Sequence, residues 1–503
     1  MFRFNLLPAI TGIIVSFLAF GPLYSLLDKP ANSGRFLERV PGMDKLPPEG
    51  RKKISKVKIG EFFERFDDSL SNKNVSNAVT HASADADKQM KGSWPGFRGK
   101  DSTNISRENV PLLKTFNESG PPVLWRVILG EGHAAPAIHC GRVFILDYLE
   151  DKKADALRCF SLISGKELWR RYYKVDIKRN HGYSRTIPAV SSNHVITIGP
   201  MGHVMCVNPE NGDLLWTIDM VEKFRGTIPQ WYTGQCPLLD DKTVILAPGG
   251  ENTLMAGIDA DSGKILWESP NPGGLKMSHS SVVPMTFNGH KMYVYAAIGG
   301  IAGISAESNS AGRILWQTGD WGATVVAPSP VILSDGMIFQ SAGYGAGSVL
   351  INVSGDKELF KAEIVRRFTP KEALATEQQT GVYYKNLLFG VLPKDAGSKR
   401  MMLVACDPAD PSKFIFPGNS ELRFGLGPFI IADDRFFALT DDGNLSMLTF
   451  EQNQFVRTGH SKVLQGVDAW GPPTIADGIM LLRDSTSMVC LDLSNDSRWS
   501  NSY

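Results

Sequence analysis

From residue 135 onward the chain repeats a short apolar run, a tight polar turn and a second apolar run. "APAIHCGRVFILD" shows the pattern first, and it recurs as "IPAVSSNHVITIG", "CPLLDDKTVILAP", "SVVPMTFNGHKMYVYAA", "SPVILSDGMIFQSA", "GVYYKNLLFGVL", "GPFIIADDRFFALT" and "PPTIADGIMLLRD". Each reads as two strands joined by a turn, and there are eight. A further apolar strand follows each pair: "LRCFSLI", "HVMCVN", "LMAGID" and "IAGISA" come first. These four run into a small-residue turn, a glycine and a tryptophan strand: "ISGKELWRR", "ENGDLLWTI", "DSGKILWES" and "SAGRILWQT".

The tryptophans set the period. Trp169, Trp216, Trp267 and Trp316 are 47, 51 and 49 residues apart, the length of one four-stranded propeller blade. The turn puts Gly165, Gly212, Gly263 or Gly312 where a positive φ is needed, which glycine reaches without a Cβ clash. The indole then packs on the neighbouring sheet. Decayed copies follow as "SVLINVS", "MLVACDP", "LSMLTF" and "SMVCLDL", again giving eight. "PVLWRV" (122–127) carries Trp125 with no strand before it, and "SMVCLDL" (487–493) has no tryptophan strand after it. The first therefore completes the last blade and closes the ring, removing an open sheet edge. The expected fold is all-β: an eight-bladed β-propeller of four-stranded blades over residues 93–503, with Trp125, Trp169, Trp216, Trp267 and Trp316 as docking residues.

"GIDADSGKILW" (257–267) resembles the tryptophan-docking repeat A-x-D-x-x-T-G-K-x-x-W of the pyrroloquinoline quinone (PQQ)-like propeller superfamily, with Gly257 for the alanine and Ser262 for the threonine. "SWPGFRG" (93–99) is similar to the lead-in of many such propellers. The resemblance covers roughly residues 93–495 and implies the eight-bladed fold. It does not fix an activity, because catalytic and non-catalytic members share the motif.

A quinoprotein dehydrogenase of this superfamily is expected to carry an adjacent Cys-Cys pair, a Ca²⁺ site of Glu, Asn and Asp, and an aspartate base. The chain has no Cys-Cys, and no local motif assigns the metal or base positions. The resemblance thus favours a non-catalytic member without a cofactor, with PQQ as the open alternative. The BamB-like branch of outer-membrane lipoproteins is nearer in length, but its lipidated N-terminal cysteine has no counterpart, the first cysteine being Cys140.

Charge and the N-terminus add location. With 53 basic and 52 acidic residues the formal charge is +1, and no strong field draws the chain to nucleic acid. "NLLPAITGIIVSFLAFGPLYSLL" (5–27) is 23 residues without a formal charge, long enough to span a bilayer. Residues 1–27 are read as a transmembrane anchor, with a cleaved signal peptide as rival. Arg3 on one side against Lys29, Arg35 and Arg39 on the other does not favour export. The resemblance, not the charge, puts the propeller in the periplasm or another extracytoplasmic space. Residues 28–92 read as a polar linker, in which "ISKVKIGEFFERFDDSL" (54–70) forms an amphipathic helix or stays disordered.

Of six cysteines, Cys159, Cys206, Cys406 and Cys490 fall in pre-turn strands, where burial is the expected role. Cys140 and Cys236 lie in or beside the first strand pair of their blades.

Counting back three residues from the proline of each strand pair, or its equivalent, gives the channel mouth: His133, Arg185, Gly234, His279, Ala327, Gln379, Gly425 and Trp470, with Tyr183 and Trp231 close by. This ring has the polar and aromatic character of a binding funnel, and equally of side chains that solvate a hole or bond to loop carbonyls. His133 and His279 are metal candidates without a third ligand. The expectation is an anchored, extracytoplasmic, non-catalytic scaffold for a protein partner. A PQQ-dependent or other oxidoreductase and a carbohydrate- or envelope-binding module are the alternatives.

Overall fold

In a computed structural model the described residues are 90–356 and 359–499, together with two short strands, Glu64–Arg65 and Val75–Ser76. The anchor expected over 1–27 lies outside them, as does the helix expected over 54–70 apart from Glu64–Arg65. Among the described residues no helix is long and apolar enough to cross a membrane.

Eight antiparallel sheets, each built on a four-stranded blade, follow in chain order, and short outlying strands extend two of them. In blade 1 the strands run from Ala137–His139 through Arg142–Leu149 and Ala154–Ser161 to Glu167–Lys174. The later blades repeat this meander, and blade 8 consists of Thr474–Ala476, Ile479–Arg483, Ser487–Asp492 and Val123–Ile128. The ring therefore closes as the sequence predicts, with Trp125 opposite Cys490.

The glycine–tryptophan spacing has a direct physical cause. Gly165, Gly212, Gly263 and Gly312 have φ of 66°, 71°, 69° and 83°. A Cβ on each would lie 2.6, 2.6, 2.7 and 2.8 Å from the indole of Trp125, Trp169, Trp216 and Trp267 respectively. Each indole thus covers the glycine turn of the next blade, where no larger side chain fits. Trp125, Trp169 and Trp216 also donate from Nε1 to the carbonyls of Leu162, Pro209 and Ala260 there. Trp316 is buried and its Nε1 faces Met292 Sδ. Trp267 is only half-buried, in an outer strand, Ile265–Pro270, whose other residues apart from the buried Ser269 are exposed or partly covered.

The same docking explains three of the six cysteines. The residue paired across the strand from each tryptophan is small: Cys159, Cys206, Gly257, Gly303 and Cys490. At Gly257 and Gly303 a Cβ would come within 2.2 Å of the indole, so this position accepts only a small residue.

Around the channel, the head of each inner strand has no sheet neighbour for its N–H, and such a group needs a partner. In blades 2 to 5 the next blade supplies it. Ile187 N donates to Cys236 Sγ (3.2 Å), Cys236 N to Ser281 Oγ (3.0 Å), Ser281 N to Ser329 Oγ (2.9 Å) and Ser329 N to Thr380 Oγ1 (2.8 Å). The lead-in segment adds its own bonds to the inner strands. Ser93–Trp94 pairs with the inner strand of blade 1, and Val190 N of blade 2 donates to Pro95 O. Arg98 reaches Gly381 O of blade 6, and Asn104 reaches Phe429 O of blade 7. In blade 8 Asp477 accepts from Gly92 N and donates its own N–H to Glu108. The segment that reads in sequence as a prelude to the propeller thus bonds to the inner strands of blades 1, 2, 6, 7 and 8.

Candidate functional site at the channel mouth

The near ends of the inner strands form the mouth, where the residues singled out from sequence lie. Two groups assemble. In the first, the ring of His133 lies against that of Trp470 with centroids 4.7 Å apart. Trp470 Nε1 donates to Asp441 Oδ1 (2.9 Å), and Gln379 Nε2 donates to Trp470 O (2.9 Å). Gly425 leaves room for this carboxylate: a Cβ there would sit 2.2 Å from Asp441 Oδ2.

In the second, Trp231 stacks on Tyr344 at 5.4 Å and lies 6.2 Å from His279. Trp231, Tyr232 and Tyr344 all have left-handed φ, of 65°, 73° and 57°. That is uncommon for bulky side chains and is sustained only where packing over-determines it. Burial, assisted by the Arg185 guanidinium, lowers the His279 pKa to about 4, so its imidazole is neutral at pH 7.

Much of the mouth's polarity is spent on the protein itself. His133 Nε2 lies 3.0 Å from His181 O. Arg185 donates to the carbonyls of Tyr183, Asn180 and His181. Tyr183 is buried, stacked on Tyr148 at 4.1 Å with its hydroxyl on Glu150.

Sequence reasoning missed Tyr344, Lys394 and Asp441, which lie in loops between the second and third strands of blades 5, 6 and 7. Lys394 lies 5.8 Å over the Tyr344 ring and 3.5 Å from Glu377. The one available signal was "AGYGAG", an aromatic residue flanked by glycines.

Among the described residues no three His, Cys, Asp or Glu side chains converge as metal ligands. Asp441 Oδ1 already accepts from Trp470 and from Leu426 N. This donor set does not fit the calcium-held quinone that the sequence resemblance implies for dehydrogenases.

Residues 152–382 match the family described as "Outer membrane protein assembly factor BamB". The outer membrane protein assembly factor BamB of Alteromonas naphthalenivorans is 30% identical over 103 residues, 19% of this chain and 24% of that protein. The chain thus spans about a quarter of that relative's length. Among solved structures, BamB from Moraxella catarrhalis has a TM-score of 0.46 at 10% identity, covering 74% of this chain and 100% of the other. A europium-containing methanol dehydrogenase has a TM-score of 0.51 at 10% identity, covering 80% and 90%. The likeness to the dehydrogenase is one of fold.

Proposed function

From the chain's resemblance to the PQQ-like propellers, we propose that it is a non-catalytic scaffold, anchored through residues 1–27 outside the cytoplasm, whose mouth-side rim holds a protein partner. One observation carries this reading: most of the polar side chains named at the mouth are bonded to its own loops, His279 Nε2 being buried without a partner. His133, Arg185 and Gln379 bond to backbone carbonyls, and Trp470 bonds to Asp441. Such bonding makes a rigid surface suited to display. The name of the matched relative, an assembly factor, supports a protein partner.

A photo-crosslinker at Val467, which is 61% exposed on the mouth side, should join the full-length protein to one partner in its native membrane. A crosslinker at Lys100, on the lead-in, should not. Equal yields from both positions would refute a mouth-side partner.

The purified protein should neither retain PQQ nor reduce a dye with alcohols or sugars in the presence of Ca²⁺. Stoichiometric PQQ, with turnover lost on changing His133, Arg185 or His279, would establish the oxidoreductase reading instead. The stacked Trp231–Tyr344 pair favours a second alternative, a carbohydrate ligand, which glycan binding abolished by Trp231→Ala would support.

A further inference from the structure

Asp155 is a buried carboxyl, 1% exposed, near the start of the third strand of blade 1. It touches two elements that have no sheet pairing with each other. Ser184 Oγ donates to Oδ1 (3.0 Å), and Tyr173 OH of the outer strand donates to Oδ2 (3.0 Å). Ser184 belongs to the mouth segment 180–187, which carries His181, Tyr183 and Arg185. Its carbonyl accepts from His133 N (2.8 Å) and Ala134 N (3.0 Å), and Tyr183 N donates to Glu131 O (3.2 Å). Asp155 therefore fastens, through one hydroxyl, the strip of backbone that shapes this side of the mouth.

Among the described residues no cation acts on this carboxyl. On the neighbouring strand, Tyr148 pairs with it in register, and Asp147 is the charged group that acts on it. Arg158 is committed elsewhere, to Asp147 at 2.8 Å and Glu167 at 2.7 Å. From the mouth segment come Ser184 and Tyr183, the latter bonded to Glu150. From blade 2, His203 stands edge-on to Tyr173 at 5.3 Å, with Asp219 3.5 Å behind it. Gly199 closes the last side, where a Cβ would lie 2.6 Å from Oδ2. The side chains that act on the carboxyl are two hydroxyls and another acid.

We propose that Asp155 is a proton-operated latch: as a neutral acid it holds segment 180–187 against blade 1, and on losing its proton it lets that segment open so that water can reach the carboxylate. A neutral acid keeps both contacts, because either hydroxyl can turn to accept. An anion in this site has two hydroxyl donors but no counter-ion, and burying an unpaired charge is costly.

Burial, reinforced by Asp147 and opposed by the two hydroxyl bonds, raises the carboxyl from 3.8 to about 7. The sign follows from proton linkage. The closed form is the proton-binding form, so the latch is fully set below about pH 4 and is lost as pH rises through about 7. The opening constant should rise about tenfold per pH unit within that window and level off above it.

Hydrogen exchange of the full chain, corrected for intrinsic rates, reads this at the amides of His133 and Ala134. Between pH 5 and 7 their opening constants should rise roughly fiftyfold, while core amides such as Val294 stay level. Asp155→Asn should abolish the slope. A flat wild-type profile, or an equal slope in Asp155→Asn, would overturn the latch. Ser184→Ala keeps the carboxyl and cuts the link, so its slope at these two amides should shrink. If Asp155→Asn fails to fold, the wild-type carboxyl can still be titrated by its infrared C=O band, and a midpoint below about pH 5 would refute the proposal.

Discussion

The contact between Trp125 and Gly165 can be measured as a coupling. Trp125 is 2% exposed and donates to Leu162 O at 2.8 Å. An indole that buries roughly 150–250 Å² at about 25 cal/mol per Å² contributes about 4–6 kcal/mol. Trp125→Ala should cost about 5 kcal/mol, at the top of the range for large aromatic truncations because a buried carbonyl also loses its donor. Gly165→Ala places a Cβ at φ 66° and 2.6 Å from the indole. The left-handed backbone costs about 1–2 kcal/mol and the overlap about 1–3 kcal/mol. In the double variant the overlap is gone and only the backbone cost remains. The two changes together should therefore be about 2 kcal/mol less damaging than their sum. Equilibrium urea unfolding followed by far-ultraviolet circular dichroism gives the four stabilities. Additivity within about 0.5 kcal/mol would show that the indole does not rest on this glycine.

Trp267→Ala, at a half-buried site, should cost about 2 kcal/mol in the same assay, and a loss matching that of Trp125→Ala would contradict its exposure. Replacing Val123–Ile128 with a Gly/Ser stretch of equal length should lower the melting temperature far more than removing residues 28–89, and equal melting temperatures would sink the closure argument. Arg158→Met leaves Asp147 and Glu167 buried without their shared partner and should cost about 3–5 kcal/mol; Arg170→Met removes only the more exposed of Glu167's two cations and should cost clearly less.

The blades were legible because their cause is periodic. A glycine that must be left-handed, and must lie under an indole, recurs with the repeat and marks itself in the sequence. The small partner opposite each tryptophan was half legible: the cysteines stood out, but not the reason that Gly257 and Gly303 occupy the same place. The lead-in segment was read as a prelude because its partners are remote in sequence. Arg98 bonds to Gly381 and Gly92 to Asp477, contacts 283 and 385 residues apart that no local pattern announces. The mouth was half legible for a related reason. Strand-leading residues follow from the period, while Tyr344, Lys394 and Asp441 sit in loops whose lengths and compositions differ from blade to blade. The half-burial of Trp267 depends on how far its strand is covered, which the motif does not encode.

The strand that closes the ring also sets an order of events. Val123–Ile128 is made first, yet its partner Ser487–Asp492 is made last, and the seam includes a bond from Arg483 to Gly130 across 353 residues. Until the final blade emerges, the first strand has no sheet to join, and blade 1 lacks the indole that covers Gly165. The nascent chain is therefore an open arc with an unpaired edge at each end, the form in which sheets pair with the wrong neighbour. Closing it pays the entropy of a very long loop in one late step, after which the many blade contacts become cooperative. A chain cut short anywhere before residue 487 should thus behave as an aggregation-prone fragment rather than as a smaller propeller.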